Sequence, residues 1–254
     1  MQENFDWSKR WKEIRAWHLS PEFTAICNTY IEECARLAEQ AEEFLEMIPK
    51  LRERVEKETA RTEYAVGGDI HRGWYCPSPV YDIFVGNVCR GRLLKRVSVK
   101  SKITNKYAFS SDNRLLRAEE FVGNAVRTEY ILDKDDVRYG ITVNQDMQLT
   151  AFSIETYQDT VLQSYTLLRM ATGIGQPICA TLEAEEYHYS NNMLMACDRQ
   201  SYDALVGSFR HDFHEFERVN GNLSAYILHD LSLPEHLRNA YSVRKYRIKA
   251  NKTD

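Results

Sequence analysis

The sequence predicts an α+β protein: a helical arm over residues 1–62 packed on an antiparallel β-hairpin meander over residues 63–254. An apolar stripe runs at helical spacing from Cys27 to Val55, and after Tyr64 the chain breaks into short alternating segments separated by turn residues. Composition agrees with a folded chain: of 254 residues, 43% are hydrophobic and 28% charged. Tyrosine, with 15 copies, lies mostly after residue 60.

The arm reads as two helical stretches. Trp7, Trp11, Ile14 and His18 recur at steps of 4, 3 and 4, as one helix face requires. Ser20-Pro21-Glu22 then restarts the pattern with a hydroxyl N-cap, a proline at the first helical position and an acid in the first turn. Cys27, Tyr30, Cys34, Leu37, Ala41, Phe44, Ile48, Leu51 and Val55 continue it in steps of 3 and 4. Pro49 interrupts the stripe and is expected to kink or split the helix. The small Cys27, Cys34 and Ala41 suit packing within one chain better than a two-chain coiled coil, so a monomer is expected.

The meander is read from repeated hairpin signals. Tyr107 and Phe109, then Asp112-Asn113, then Leu115 and Leu116 give an aromatic pair, a polar turn and leucines. Tyr187 and Tyr189, Asn191-Asn192 and Leu194 repeat that order, and Asn220-Gly221 closes a third version. Segments 130–139 and 141–152 look like degenerate members. With Asn191-Asn192 as a two-residue loop, Tyr189 faces Leu194 and Tyr187 faces Ala196. Residues 157–170 suit a helix or a strand, and the pattern does not choose. Leu233 to Leu237 reads as a helical turn before a last strand, Tyr241 to Ile248.

No assembled catalytic motif is present. Gly173-Ile-Gly175 lacks the lysine of a phosphate loop and reads as a plain turn. His211, His214 and Glu215 would share a face on a helix and hold a metal there, but the following hairpin favours strand, where the two histidines diverge. Adjacent carboxylates such as Glu119-Glu120, Asp135-Asp136 and Glu185-Glu186 likewise diverge on strands. Expected are no metal, no cofactor and no catalytic residue. The cysteines form no CxxC pair and read as reduced thiols. The chain start lacks a basic-then-apolar leader, and no apolar run approaches the roughly 18 residues of a membrane span. A cytoplasmic location away from membranes follows as the expectation. With 33 bases against 37 acids, the whole chain makes no case for direct nucleic-acid binding.

Local charge is uneven. Residues 129–159 hold seven acids against two bases, and residues 63–102 hold seven bases against three acids. Such asymmetry suits a charged protein partner. The candidate partner-binding residues are Asp133, Asp135 and Asp136 for a basic partner, and Arg92, Lys95 and Arg96 for an acidic one. Lys245, Arg247 and Lys249 share one face of the last strand, where they suit a partner or the protection of a sheet edge equally well.

The segments at 107–121 and 187–202 resemble the tyrosine-aspartate hairpin repeat of bacterial polymorphic-toxin systems. Tyr107, Phe109, Asp112, Leu115 and Phe121 fit its pattern, as do Tyr187, Tyr189, Asn192, Leu194 and Tyr202. The family's turn glycine is missing at Asn113 and Asn192, and Gly221 supplies it in the third copy. The repeats are too few to enclose a toxin. Small proteins with such hairpins look like the immunity proteins of these systems, which neutralise a cognate toxin. The resemblance implies a protein-binding inhibitor and no catalytic residues. A ligand-binding or scaffold protein, and an enzyme of unrecognised type, are the alternatives.

Overall fold

The computed structural model describes residues 7–80, 90–171, 178–238 and 242–247. It corrects the expected α+β class. Antiparallel strands, thirteen among the described residues, take 50% of those residues, against 23% in helix. The helical pattern ends at Glu58, and the ambiguous stretch 157–170 is strand, because Asp159 and Thr160 close a two-residue hairpin at positive φ. The chain divides into two compact units, Ala35–Ala180 and a composite of Met1–Cys34 with Thr181–Asp254.

The 35–180 unit holds the second part of α2 (Pro21–Leu45), α3 (Ile48–Glu58) and eight strands. These are β1 (Arg61–Val66), β2 (Arg92–Leu93), β3 (Asn105–Phe109), β4 (Leu115–Val122), β5 (Ala125–Lys134), β6 (Val137–Asn144), β7 (Leu149–Gln158) and β8 (Val161–Ala171), in the order β8-β7-β6-β5-β4-β3-β1-β2. Pro49 splits the helical stripe as expected, with Met47 as the N-cap of α3. Leu37, Ala41, Ile48, Leu51 and Val55 are buried, which bears out intramolecular packing. Their sheet partners follow from strand alternation: Tyr130, Ile141, Val143 and Phe152 share one face. Phe44 lies 4.8 Å from Tyr139 and 5.6 Å from Phe152, centroid to centroid. Each fully buried aliphatic or aromatic side chain here contributes about 1.5–3 kcal/mol.

The opposite face of this sheet is also covered. The chain leaves β1 through Gly67-Gly68, both at positive φ, and segment 69–80 crosses the face. Ile70 packs with Ala65, Tyr107, Phe109 and Ala118 at one end. At the other end the buried residues are polar.

The composite unit holds α1 (Trp7–His18), the first part of α2 and five strands: β9 (Ile178–Ser190), β10 (Met193–Asp203), β11 (Ser208–Val219), β12 (Asn222–Asp230) and β13 (Val243–Arg247). Their order is β13-β12-β11-β10-β9. Ser20 caps α2, accepting from the Phe23 amide at 3.1 Å. In α1 the expected face is corrected: Trp11 and His18 are exposed, whereas Ile14 and Trp17 are half-buried. Asn220 (φ 51°) and Gly221 (φ 79°) close a two-residue hairpin between Val219 and Asn222, as expected. Asn191-Asn192 does the same, but the register beyond it is corrected. A bulge at Met195 sets Cys197, not Ala196, opposite Tyr187. The helical turn forms as Glu235–Leu237, and the last strand is Val243–Arg247, with Tyr241, Ile248 and Lys249 outside the described residues.

Candidate functional site

The polar end of the covered face is built by cross-strand neighbours. Glu129 on β5 stands opposite Thr142 on β6, and Ile131 opposite Gly140. Gly140 in turn faces Ser153 on β7, and Arg138 faces Glu155. Glu155 faces Tyr165 on β8. Period-2 alternation therefore sends Glu129, Arg138, Ser153, Glu155 and Tyr165 to one side, beneath His71, Tyr75 and Pro77 of the covering segment. They line a cavity of about 100 Å³.

Its centre is a buried pair. His71 Nδ1 lies 3.5 Å from Glu129 Oε1, and His71 Nε2 lies 3.1 Å from Thr142 Oγ1. Burial pushes the Glu129 carboxyl up to about 8, and the charge of Glu155 adds to the shift. Burial holds His71 well below its ordinary range, helped by the guanidinium groups of Arg169, Arg127 and Arg72. At neutral pH the pair is thus an uncharged imidazole beside a protonated carboxyl. Ser153 Oγ donates to Glu129 Oε1 at 3.4 Å.

Glu155 is handled differently. Tyr157 Oη donates to it, and Arg138 Nη1 lies 3.7 Å away while Arg138 Nε donates to Asp133 at 2.7 Å. Tyr165 is 4% exposed, and its hydroxyl has no hydrogen-bond partner among the described residues. Gly140 is required by the pair itself. A Cβ there would lie 2.3 Å from Glu129 Oε1 and 2.4 Å from Ser153 Oγ. The arrangement presents a carboxyl that gains or loses a proton close to neutral pH, with hydroxyl oxygens around it.

The charged residues singled out from the sequence are placed elsewhere or at the margin. Asp133 borders the site through Arg138. Asp135 and Asp136 form the exposed turn between β5 and β6. Arg92 is exposed on β2, and Lys95 and Arg96 are exposed beyond it. Strands β1, β3 and β4 separate β2 from β5, about 19 Å at the usual strand spacing, so the acidic and basic groups do not meet along the sheet. His211 and His214 fall on opposite faces of β11, His211 bonded to Asp198 at 2.9 Å and His214 buried. Among the described residues no group of three His, Cys, Asp or Glu is arranged to hold a metal. The Gly173-Ile-Gly175 turn lies outside the described residues.

Sequence reasoning missed His71, Glu129, Ser153 and Tyr165. The available signal was polar residues alternating with apolar ones on three consecutive strands. No helix among the described residues is long and apolar enough to cross a membrane. Comparison with known proteins finds no family model, no curated protein and no solved structure that matches the chain.

Proposed function

We propose that this chain is a small-molecule-binding protein whose 35–180 unit takes a small primary amine, as its ammonium cation, into the Glu129 cavity. The observation that carries this reading is a buried carboxyl whose ion-pair partner among the described residues is a histidine held neutral. The charges of Glu155 and Asp69 raise its proton affinity further, and the Arg138 guanidinium opposes them. An ammonium group offers three donors, and Glu129 and Ser153 Oγ are acceptors on the cavity wall. The rings of Tyr75, Tyr157 and Tyr165 add cation–π surface. A cavity of about 100 Å³ limits the ligand to a few heavy atoms.

Calorimetry with methylammonium tests this. Because Glu129 is mostly protonated at pH 7, binding should release close to one proton, read from titrations in two buffers of different ionisation enthalpy. Release should vanish by pH 10, and Glu129→Gln should abolish binding. Binding without proton release, or retained in Glu129→Gln, would contradict the reading.

A toxin-neutralising role is the second reading. It is supported by the exposure of Asp135, Asp136, Lys95 and Arg96, which leaves them open to a charged partner. Co-expression with a candidate toxin domain tests it: rescue lost in Asp135→Lys/Asp136→Lys or in Lys95→Glu/Arg96→Glu supports it, and no rescue by the parent chain removes it.

A further inference from the structure

The sheet of the composite unit ends in an open strand. Among the described residues β13 pairs with β12 alone, and all five of its residues, Val243 to Arg247, are exposed. Antiparallel pairing uses the backbone groups of alternate residues, so the others turn their N–H and C=O groups outward. A row of alternating donors and acceptors is matched by an extended backbone.

Side chains restrict which backbone fits. Arg244, Lys245 and Arg247 put three bases and no acid into five residues. Lys245 Nζ lies 2.6 Å from Glu217 in an exposed pair of little strength, which an incoming carboxylate can share. A second copy of the strand is a poor match. Every antiparallel self-pairing that overlaps three or more residues sets two bases opposite each other: Lys245 on Lys245, Arg244 on Arg244, Lys245 or Arg247, or Lys245 on Arg247. Like charges directly opposite destabilise a sheet. Bases on an edge also discourage aggregation, but that protection has no use for the other two residues. Val243 is 49% exposed, and Tyr246, 38% exposed, stacks on Tyr226 at 4.7 Å between ring centroids. Both residue types favour strand pairing, and an aromatic side chain on a further strand would continue the tyrosine row.

We propose that β13 is a docking edge for an acidic extended peptide of a partner protein, which adds to the sheet as a further antiparallel strand. Carboxylates of the peptide lie opposite Arg244, Lys245 and Arg247, and an aromatic residue opposite Tyr246 extends the row. This edge is independent of the Glu129 cavity and of the charged turns.

The test uses the whole chain, labelled with ¹⁵N, and the fluorescein-labelled peptide Gly-Glu-Tyr-Glu-Glu-Val-Gly, whose antiparallel register supplies those partners. Fluorescence anisotropy should show saturable binding that weakens with salt, and the shifted amide resonances should centre on Val243–Arg247. Glutamine in place of the glutamates should weaken binding roughly tenfold, the scale of three exposed ion pairs, and lysine should abolish it. N-methylation of the peptide separates strand addition from plain charge attraction. Methyl groups on one alternate set of amides face β13 and should abolish binding, whereas those on the other set face away and should leave it unchanged. The proposal is overturned if the acidic peptide does not bind, if the lysine peptide binds as well, or if the two N-methylated sets behave alike. A dimer in light scattering that the acidic peptide dissociates would also overturn it, giving the edge to a second copy.

Discussion

Replacing Glu129 by Gln should stabilise the 35–180 unit above about pH 5, and more so as pH rises. The folded carboxyl titrates at about 8, whereas an unfolded glutamate titrates near 4.3. Between those values the folded state binds more protons, so stability falls as pH rises. Glu129 exerts no penalty below the lower value and its full penalty above the upper one. The difference of roughly 3.7 units corresponds to about 5 kcal/mol by pH 9, and to 3–4 kcal/mol at pH 7. Glutamine keeps an acceptor for Ser153 but carries no charge. Urea unfolding followed through Trp74, which lies in the covering segment, should give parent and variant similar stability at pH 5. By pH 9 the variant should lead by several kcal/mol. A difference that stays constant from pH 5 to 9 would refute the protonated carboxyl.

Gly140→Ala should cost about 1–3 kcal/mol and abolish methylammonium binding, because its Cβ needs the space of Glu129 Oε1 and Ser153 Oγ; urea unfolding and calorimetry check both. Turn chemistry gives a matched pair: Thr160 is a β-branched residue at φ 70°, so Thr160→Gly should raise stability by up to about 1 kcal/mol. Gly221→Val, at φ 79°, should lower it by about 1–2 kcal/mol, and the same urea titration reads the pair. In the composite unit, burial pushes His214 down to about 3, so its contribution is complete above the unfolded value of about 6.5 and is lost as pH falls toward 3. His214→Asn should therefore flatten the acid limb of unfolding, measured by circular dichroism between pH 7 and 3.

The elements that announced themselves did so through local chemistry. Ser20-Pro21 set a helix start, Pro49 a helix break, and Asn220-Gly221 a hairpin, because caps and turns are decided within a few residues. The class was misjudged where long-range pairing decides, as in β8, whose Val161, Leu162 and Tyr165 fit either period until β7 pairs with them. The Met195 bulge escaped for the same reason: a one-residue insertion leaves no mark in an alternating pattern. The cavity was the least legible feature. Glu129, Arg138, Ser153 and Glu155 alternate with Tyr130, Tyr139, Phe152 and Ile154, which reads as a strand with one wet face. What makes that face a site is His71 and its neighbours crossing it, a contact that no strand pattern contains. Asp135 and Lys95 drew attention because charge runs are visible in a linear chain, whereas a buried carboxyl looks like any other.

The most direct test is the carboxyl of Glu129 itself. Its side-chain ¹³C resonance, assigned by its disappearance in Glu129→Gln, can be followed by NMR from pH 4 to 10 in the intact chain. A midpoint near 8 that falls when methylammonium is added is the result predicted by a buried acid awaiting a cation. A midpoint near the ordinary glutamate value, unmoved by the amine, would contradict it.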